Sequence, residues 1–188
     1  MLAAIVVSSV FWKQVRIESV RSQMQNGPDP KRREPPMKWD DLSAQPCSIS
    51  RALAVIGDRW TLMILRDCFL GVRRFELFQK RLGVSRTIVT DRLRTLVEAG
   101  VLRRVPYQDH PVRHEYRLTE KGLDLHPVVM AIAHFGDIHY AGAEGPPVLR
   151  RHKGCGCDFH PVQVCSECGE PVSARQVEAR AGAGFPTP

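Results

Sequence analysis

The chain has 188 residues, of which 43% are hydrophobic and 25% are charged, and its formal net charge is +7. This length and composition indicate one soluble globular domain with extensions and leave no room for two large domains. The basic balance favours an anionic partner, either nucleic acid or an acidic membrane surface. Residues 71–118 hold eleven Arg and Lys against five Asp and Glu, whereas residues 141–188 hold five of each. The positive charge is therefore concentrated in the middle of the chain.

Residues 1–36 are interpreted as a disordered extension, or as the result of a start placed too early, with Met37 as the natural first residue. The first twelve residues are apolar, but they lack a charged leading region and are shorter than the roughly 20 residues that span a bilayer. Residues 24–36 are rich in proline and charge, which is typical of a linker. We therefore expect a cytoplasmic protein with no membrane partner.

Hydrophobic periodicity predicts four helices, over residues 48–56, 59–70, 74–82 and 85–99. Asp58 and Ser85 are the expected caps of the second and fourth helices, and glycines at 71, 83 and 100 end the last three. The second helix is apolar on most faces and should occupy the centre of the core. The fourth helix carries one apolar stripe, formed by Val89, Leu93, Leu96 and Val97.

Two strand-like segments, 101–107 and 113–118, follow the helices and are predicted to form a β-hairpin with a polar turn at 108–111. Thr119 then opens a long final helix that Pro127 would kink. Its expected inward residues are Leu123, Val128, Ile132 and Phe135. The predicted fold is thus mainly α with a small β-hairpin wing (α+β), a winged helix-turn-helix over residues 37–142. A small Cys-rich, zinc-ribbon-like tail with a disordered end is predicted at 143–188.

A short helix, a tight glycine turn, a second helix and a hairpin occur in this order in winged helix-turn-helix DNA-binding domains. The fourth helix would face the bases with Thr87, Thr90 and Arg94, while Asp91 either accepts a hydrogen bond from cytosine or orients Arg94. Other basic residues would contact phosphates, with Arg113 near the hairpin tip reaching the backbone or the minor groove. The predicted DNA-binding set is Arg73, Arg74, Ser85, Arg86, Thr87, Thr90, Asp91, Arg94 and Arg113.

Several motifs in a fixed order resemble the HxlR-type transcriptional regulators of bacteria. They are Cys-Ser-Ile-Ser-Arg-Ala-Leu from residue 47, Ile-Gly-Asp-Arg-Trp-Thr-Leu-Met-Ile-Leu-Arg-Asp from 56, Arg-Phe at 74, Ser-Arg at 85, Asp-Arg-Leu at 91, Glu-Ala-Gly at 98 and Glu-Tyr-Arg-Leu-Thr-Glu-Lys-Gly from 115. The resemblance covers about residues 38–140.

The resemblance implies a homodimer that binds double-stranded DNA at inverted-repeat operators. It also implies that residues 85–99 are the recognition helix, that residues 101–118 are the wing, and that the N-terminal and C-terminal helices make the dimer contacts. In several relatives a cysteine just before the first helix senses oxidants or electrophiles, and Cys47 occupies that place. A thiol at a helix N-terminus can have a lowered pKa. Cys68, within the apolar second helix, is instead expected to be an inert buried thiol.

Four of the six cysteines lie within residues 155–168. The run from Cys165 to Gly169 has the Cys-x-x-Cys-Gly pattern of small zinc ribbons, and a second pair of ligands is needed. His152 with Cys155 supplies it at the same spacing, and Cys155 with Cys157 is the competing pair. The prediction is a structural Zn²⁺ bound by His152, Cys155, Cys165 and Cys168. The alternatives are a metal-free thiol cluster and a redox dithiol.

These patterns favour a sequence-specific transcriptional regulator, a repressor or an activator. The resemblance implies that it is a homodimer and makes Cys47 a candidate sensor of oxidants or electrophiles; the alternative is a structural or incidental cysteine. An enzyme is not expected, because the sequence shows no nucleophile with a neighbouring base, no phosphate-binding loop and no paired carboxylates. Two other classes of function were considered. One is a redox or metal-handling protein that uses the tail cysteines, and the other is an adaptor that keeps the winged fold without binding DNA.

Overall fold

The computed structural model of the protein describes residues 43–185, so the predicted N-terminal extension at 1–36 and the proposed start at Met37 lie outside the described residues. The elements, in chain order, are α1 (Ser48–Ile56), α2 (Arg59–Phe69), α3 (Phe75–Leu82), α4 (Arg86–Glu98), β1 (Leu102–Asp109), β2 (Val112–Leu118), α5 (Glu120–Leu123), α6 (His126–His139) and a 3-10 turn (Ala174–Gln176). Within this part of the chain, no helix is long and apolar enough to cross a membrane. The mainly α fold with a hairpin wing is confirmed.

The predicted helix starts follow from specific capping contacts. The Asp58 carboxylate accepts hydrogen bonds from the backbone N–H groups of Trp60 and Thr61, and the Ser85 hydroxyl accepts one from Ile88 at 3.4 Å. Gly83, with φ of 64°, ends α3 in the left-handed region that favours glycine. The third helix begins one residue later than predicted, with Arg74 as its N-cap. The short turn between α3 and α4 is therefore set by local sequence.

The core forms where α2, α4 and the start of the hairpin meet. Ile64 and Leu65 of α2 and Phe78 of α3 are fully buried, as expected for a central apolar helix and its neighbour. The predicted stripe of α4 faces them, with three of its four members fully buried. The complete buried set is Ile56, Ile64, Leu65, Phe78, Val89, Leu93, Leu96, Val101 and Leu102. The core therefore holds α4 by one face only.

A buried carboxylate joins α2 to α3. The side chain of Asp67 is inaccessible to solvent, and its Oδ1 lies 2.8 Å from Nη2 of Arg66 while its Oδ2 lies 3.2 Å from Nε of Arg81. A buried charge needs such partners, because desolvation of an unpaired carboxylate is costly. Sequence reasoning treated Asp67 only as part of an apolar helix, whereas the structure makes it the polar link between two helices.

The hairpin pairs antiparallel from Leu102 opposite Leu118 to Asp109 opposite Val112, with a bulge at Tyr107. The predicted turn at 108–111 is too long, because residues 108 and 109 pair within the strand and only 110 and 111 turn the chain. The segment before α3 adds to the far edge of β2, where the Arg73 carbonyl accepts from Tyr116 N–H at 2.8 Å. This contact ties the wing to the beginning of α3.

The prediction of one long final helix is wrong. The chain forms a single turn, α5, and then a separate helix, α6, with Asp124 and Leu125 between them. Pro127 lies in the first turn of α6 instead of kinking a continuous helix. Proline is tolerated there because the first N–H groups of a helix have no intrahelical acceptor.

The residues expected to face inward from the final helix are also placed differently. Leu123, Val128, Ile132 and Phe135 are all exposed, the last at 55%. Ile138 and Tyr140 extend the same exposed apolar group to the end of α6. The prediction that these four residues face inward is therefore wrong for the described residues, in which no element covers them fully. On α1, Ile49 is also exposed, at 70%.

Candidate nucleic-acid interface

Helix α4 presents a polar face to solvent on the side opposite the core. Thr87, Thr90 and Arg94 are exposed, while Val89 and Leu93 between them are fully buried. Ser85 and Arg86, at the start of the helix, are exposed as well. A helix fixed on one side and free on the other, with its N-terminal residues accessible, is what insertion into a major groove requires.

Arg94 is held by acidic neighbours on its own helix. Its Nη2 donates to Asp91 Oδ1 at 3.0 Å, and its Nε lies 4.0 Å from Glu98 Oε1. Asp91 was predicted either to accept a hydrogen bond from cytosine or to orient Arg94. In the free protein its carboxylate binds Arg94. Because the pair is exposed, its contribution to stability is small. Its consequence is a defined starting position for the guanidinium of Arg94.

Two arginines at the edges of the helix-turn-helix rest on aromatic rings. The guanidinium of Arg86 lies over the ring of Phe75 at 4.8 Å, and that of Arg74 lies over the ring of Tyr107 at 4.6 Å. Such cation–π contacts hold a charge in place while leaving it accessible to a phosphate. Sequence reasoning named both arginines but missed Phe75 and Tyr107. In the sequence, these two residues are marked only as aromatic side chains within polar stretches.

The remaining basic candidates lie before α3 and on the wing. Arg73 and Arg113 are exposed, and Arg113 stands opposite Gln108 next to the turn of the hairpin. Other arginines of the wing are engaged within it, since Arg117 pairs with Glu115 and Arg104 Nη2 lies 3.2 Å from His114 Nδ1. Arg113 thus has the position expected of a wing-tip contact.

The two cysteines of the helical domain have opposite environments. Cys47 is exposed at the N-cap of α1, and its pKa is lowered, first by the backbone N–H of Ser50, then by the Ser50 side chain and the N–H of Ile49. Burial raises the pKa of Cys68 to about 12. The two pKa shifts are thus in opposite directions, and the expected reactivity of Cys47 stays a prediction.

The tail residues predicted to bind zinc are exposed or half-buried. His152 Nδ1 lies 3.3 Å from Cys155 Sγ, which brings the first predicted pair together. The pKa of Cys165 is lowered, first by the backbone N–H of Cys168, then by the N–H of Glu167 and the Cys168 side chain. Across residues 43–185, no group of three or more His, Cys, Asp or Glu side chains is gathered in a metal-binding arrangement.

Comparison with known proteins gives matches along most of the described chain. The family model for HxlR-like helix-turn-helix proteins matches residues 55–143. The HTH-type transcriptional regulator Rv3095 of Mycobacterium tuberculosis is 47% identical over 138 residues, which are 73% of this chain and 87% of that protein. Among solved structures, the candidate transcription factor PA1607 is 35% identical with a TM-score of 0.68, over 76% of this chain and 99% of that one. The candidate transcription factor PA1374 of Pseudomonas aeruginosa is 35% identical with a TM-score of 0.53, and the match covers 74% of this chain and 95% of that one.

Helices α3 and α4, the glycine turn between them and the hairpin that follows form a winged helix-turn-helix, the DNA-binding module of a transcriptional regulator. The chain belongs to the HxlR-like helix-turn-helix family of transcriptional regulators. The resemblance drawn from the sequence motifs is thereby confirmed.

Proposed function

We propose that the protein is a homodimeric regulator that reads specific DNA sequences with the outer face of α4 and grips the flanking backbone with the arginines around it. The observation that carries this proposal is the division of α4 into two faces. Val89, Leu93 and Leu96 are fully buried, whereas Thr87, Thr90 and Arg94 are exposed. An adaptor that does not bind DNA would have no need of an accessible, arginine-flanked helix N-terminus.

Two exposed apolar surfaces support a homodimer. One is on α1, where Ile49 is 70% exposed, and the other is on α6, where Ile132, Phe135 and Ile138 are exposed. Family resemblance assigns the dimer contacts to these same terminal helices. A dimer would also explain how a small domain binds an operator tightly, because one winged module buries little DNA surface and two half-sites multiply affinity and specificity. The operator would then be an inverted repeat.

The separate roles of base reading and phosphate contact can be tested with two arginine variants. Arg94→Ala should reduce the ratio of affinities for cognate and scrambled duplex about tenfold, because a base-edge contact is lost. Arg74→Ala should weaken binding to both duplexes alike and reduce the slope of log affinity against log salt by about one, because a phosphate contact is lost. Fluorescence anisotropy titrations at several salt concentrations measure both quantities. The cognate duplex is one that the wild-type protein selects from a random library.

The matched control for these two variants is Arg180→Ala, which removes an exposed arginine near the end of the described chain, outside the helix-turn-helix and the helices proposed for the dimer contact. It should leave both affinities within about twofold of wild type, since long-range charge effects are screened at physiological salt. Equal losses on both duplexes for Arg94→Ala would refute its reading role.

We further propose that Cys47 makes the regulator responsive to oxidants or electrophiles. Its sulfur is accessible and its pKa is lowered by hydrogen bonds at the start of α1. The same helix carries Ile49, one of the exposed apolar residues proposed for the dimer contact. Modification at the first turn of α1 would therefore act where the two protomers meet, and would change DNA affinity through the dimer.

Alkylation at neutral pH tests the first part of this proposal. Iodoacetamide should modify Cys47 at least about tenfold faster than Cys68, whose pKa of about 12 leaves almost no thiolate. Ser50→Ala should slow the reaction of Cys47, because loss of a hydrogen bond to sulfur moves its pKa back toward the ordinary value. Peptide mapping by mass spectrometry gives the rates. If an oxidant lowered the DNA affinity of Cys47→Ser as much as that of wild type, sensing at Cys47 would be ruled out.

A further inference from the structure

The first turn of the tail, from Arg150 to Phe159, is closed by three backbone hydrogen bonds. Phe159 N–H donates to the Arg150 carbonyl at 2.9 Å, His152 N–H to the Cys157 carbonyl at 2.9 Å, and Gly156 N–H to the His152 carbonyl at 2.8 Å. The φ angle of Gly156 is 73°, in the left-handed region. These bonds place His152 and Cys155 on the same tight turn.

A second turn, from Gln163 to Val172, has the same hydrogen bonds as the first turn, displaced by thirteen residues along the chain. Val172 N–H donates to the Gln163 carbonyl, Cys165 N–H to the Glu170 carbonyl and Gly169 N–H to the Cys165 carbonyl, each at 2.9 Å. The φ angle of Gly169 is 75°. Both turns also carry an isolated antiparallel bridge at the same relative place, Arg151 with Asp158 and Val164 with Pro171.

The repeat assigns equivalent positions without reference to metal chemistry. His152 corresponds to Cys165, Cys155 corresponds to Cys168, and Gly156 corresponds to Gly169. Cys157 corresponds to Glu170, a position after the turn glycine that accepts the closing bond through its carbonyl. Within the second turn, Cys165 and Cys168 are the two residues with a sulfur that can bind a metal. By this equivalence, the candidate metal ligands of the first turn are His152 and Cys155, and the competing pair of Cys155 with Cys157 is not favoured.

The side chains within each turn are already placed for chelation. His152 Nδ1 is 3.3 Å from Cys155 Sγ. In the second turn the backbone N–H groups of Glu167 and Cys168 point at the sulfur of Cys165. Such N–H donors stabilise a thiolate ligand of zinc, and a following glycine leaves room for the turn. The second turn has both features, and Gly156 supplies the glycine of the first.

The tail has little else to hold it together. Residues 151–160 are all exposed, so the segment lacks a hydrophobic core of its own. Its contacts with α6 include the pair of Arg150 Nη1 with Asp137 Oδ2 at 2.7 Å and the stacked rings of His160 and His134 at 5.2 Å. Small segments without a core are commonly stabilised by a structural metal.

We propose that the two turns are the halves of one structural zinc site, with His152, Cys155, Cys165 and Cys168 as ligands. Each half brings two ligands, and zinc in structural sites takes four in tetrahedral geometry. The two pairs are not gathered into one group within residues 43–185, and under this proposal binding of the ion would bring the two turns together. Its binding would fix the tail beside α6, where Arg150 already pairs with Asp137 and His160 stacks on His134.

Metal content of the full-length purified protein tests the ligand set. By inductively coupled plasma mass spectrometry, the wild type should hold one zinc ion per chain. Cys155→Ser, Cys165→Ser and Cys168→Ser should each lose at least about nine-tenths of that zinc. Cys157→Ser is the matched control within the tail and should retain the full amount. Cys47→Ser should retain it as well. A zinc-free wild type would overturn the proposal, as would a loss in Cys157→Ser equal to that in Cys165→Ser.

Cobalt substitution tests the histidine separately. The cobalt-loaded protein should show the visible bands of a tetrahedral site with three thiolates. His152→Cys should still bind one ion, and its sulfur-to-cobalt charge-transfer absorption should rise by about a third, because a fourth thiolate is added. An unchanged absorption in His152→Cys would show that residue 152 is not a ligand. These readouts do not depend on DNA binding, so they distinguish failure of the zinc site from failure of the proposed regulator.

Discussion

Replacing Thr87 and Thr90 together with glutamate should abolish specific DNA binding, with a loss of about 100-fold or more in affinity for a selected duplex. Both side chains are exposed on the outer face of α4, between the buried positions that fix the helix. Two carboxylates on that face would lie against the phosphates and the electronegative base edges of the groove. Anisotropy titration measures the loss, and thermal unfolding shows whether the domain remains folded.

The matched control adds the same two charges elsewhere. Ala179 and Ala181 are exposed residues near the end of the described chain, outside the winged helix-turn-helix. Replacing both with glutamate should reduce affinity only a few-fold, because charges beyond a Debye length of about 8 Å are largely screened at physiological salt. If both double variants lost affinity equally, net charge and not the face of α4 would govern binding.

Phe78→Ala should destabilise the domain by about 3–5 kcal/mol, the largest effect expected of a single substitution. The ring of Phe78 is fully buried beneath α2 and α4, and it packs edge-on against Tyr116 of the wing at a centroid distance of 6.5 Å. Its removal leaves a cavity at the point where the helix-turn-helix and the wing share their core. Denaturant unfolding of the variant and wild type gives the difference.

The neighbouring residue Leu77 provides the control. It belongs to the same helix but is 46% exposed, so Leu77→Ala should cost less than about 1 kcal/mol. Equal destabilisation by the two substitutions would mean that α3 does not pack as the structure shows.

The helical part of the fold could be predicted because its signals are local. Asp58 and Ser85 cap the helices they were expected to cap, and the stripe of Val89, Leu93 and Leu96 is buried. Each of these features depends on residues within one or two turns of a helix. The exposed polar face of α4 follows directly from the same periodicity, which is why most of the candidate DNA-binding residues lie on accessible surface.

Other features depend on contacts between distant segments. The rings of Phe75 and Tyr107 beneath Arg86 and Arg74 arise only when α3, α4 and the wing are packed together. The pairing of Asp67 with Arg81 likewise joins two helices. The final helix was read as one element because both of its parts share an apolar pattern, and the break before Pro127 depends on how α5 packs under the hairpin. The equivalence of the two tail turns became visible only from their hydrogen bonds.

The most direct test of the central claim is selection from a random duplex library by the purified full-length protein, followed by sequencing. We expect enrichment of an inverted repeat whose half-sites are about one helical turn apart, centre to centre. We also expect that Arg94→Ala relaxes the preference at a symmetric pair of positions in that repeat. Failure of the wild type to enrich any sequence, or enrichment of an unchanged motif by a variant carrying Thr87→Glu and Thr90→Glu, would contradict a regulator that reads DNA with α4.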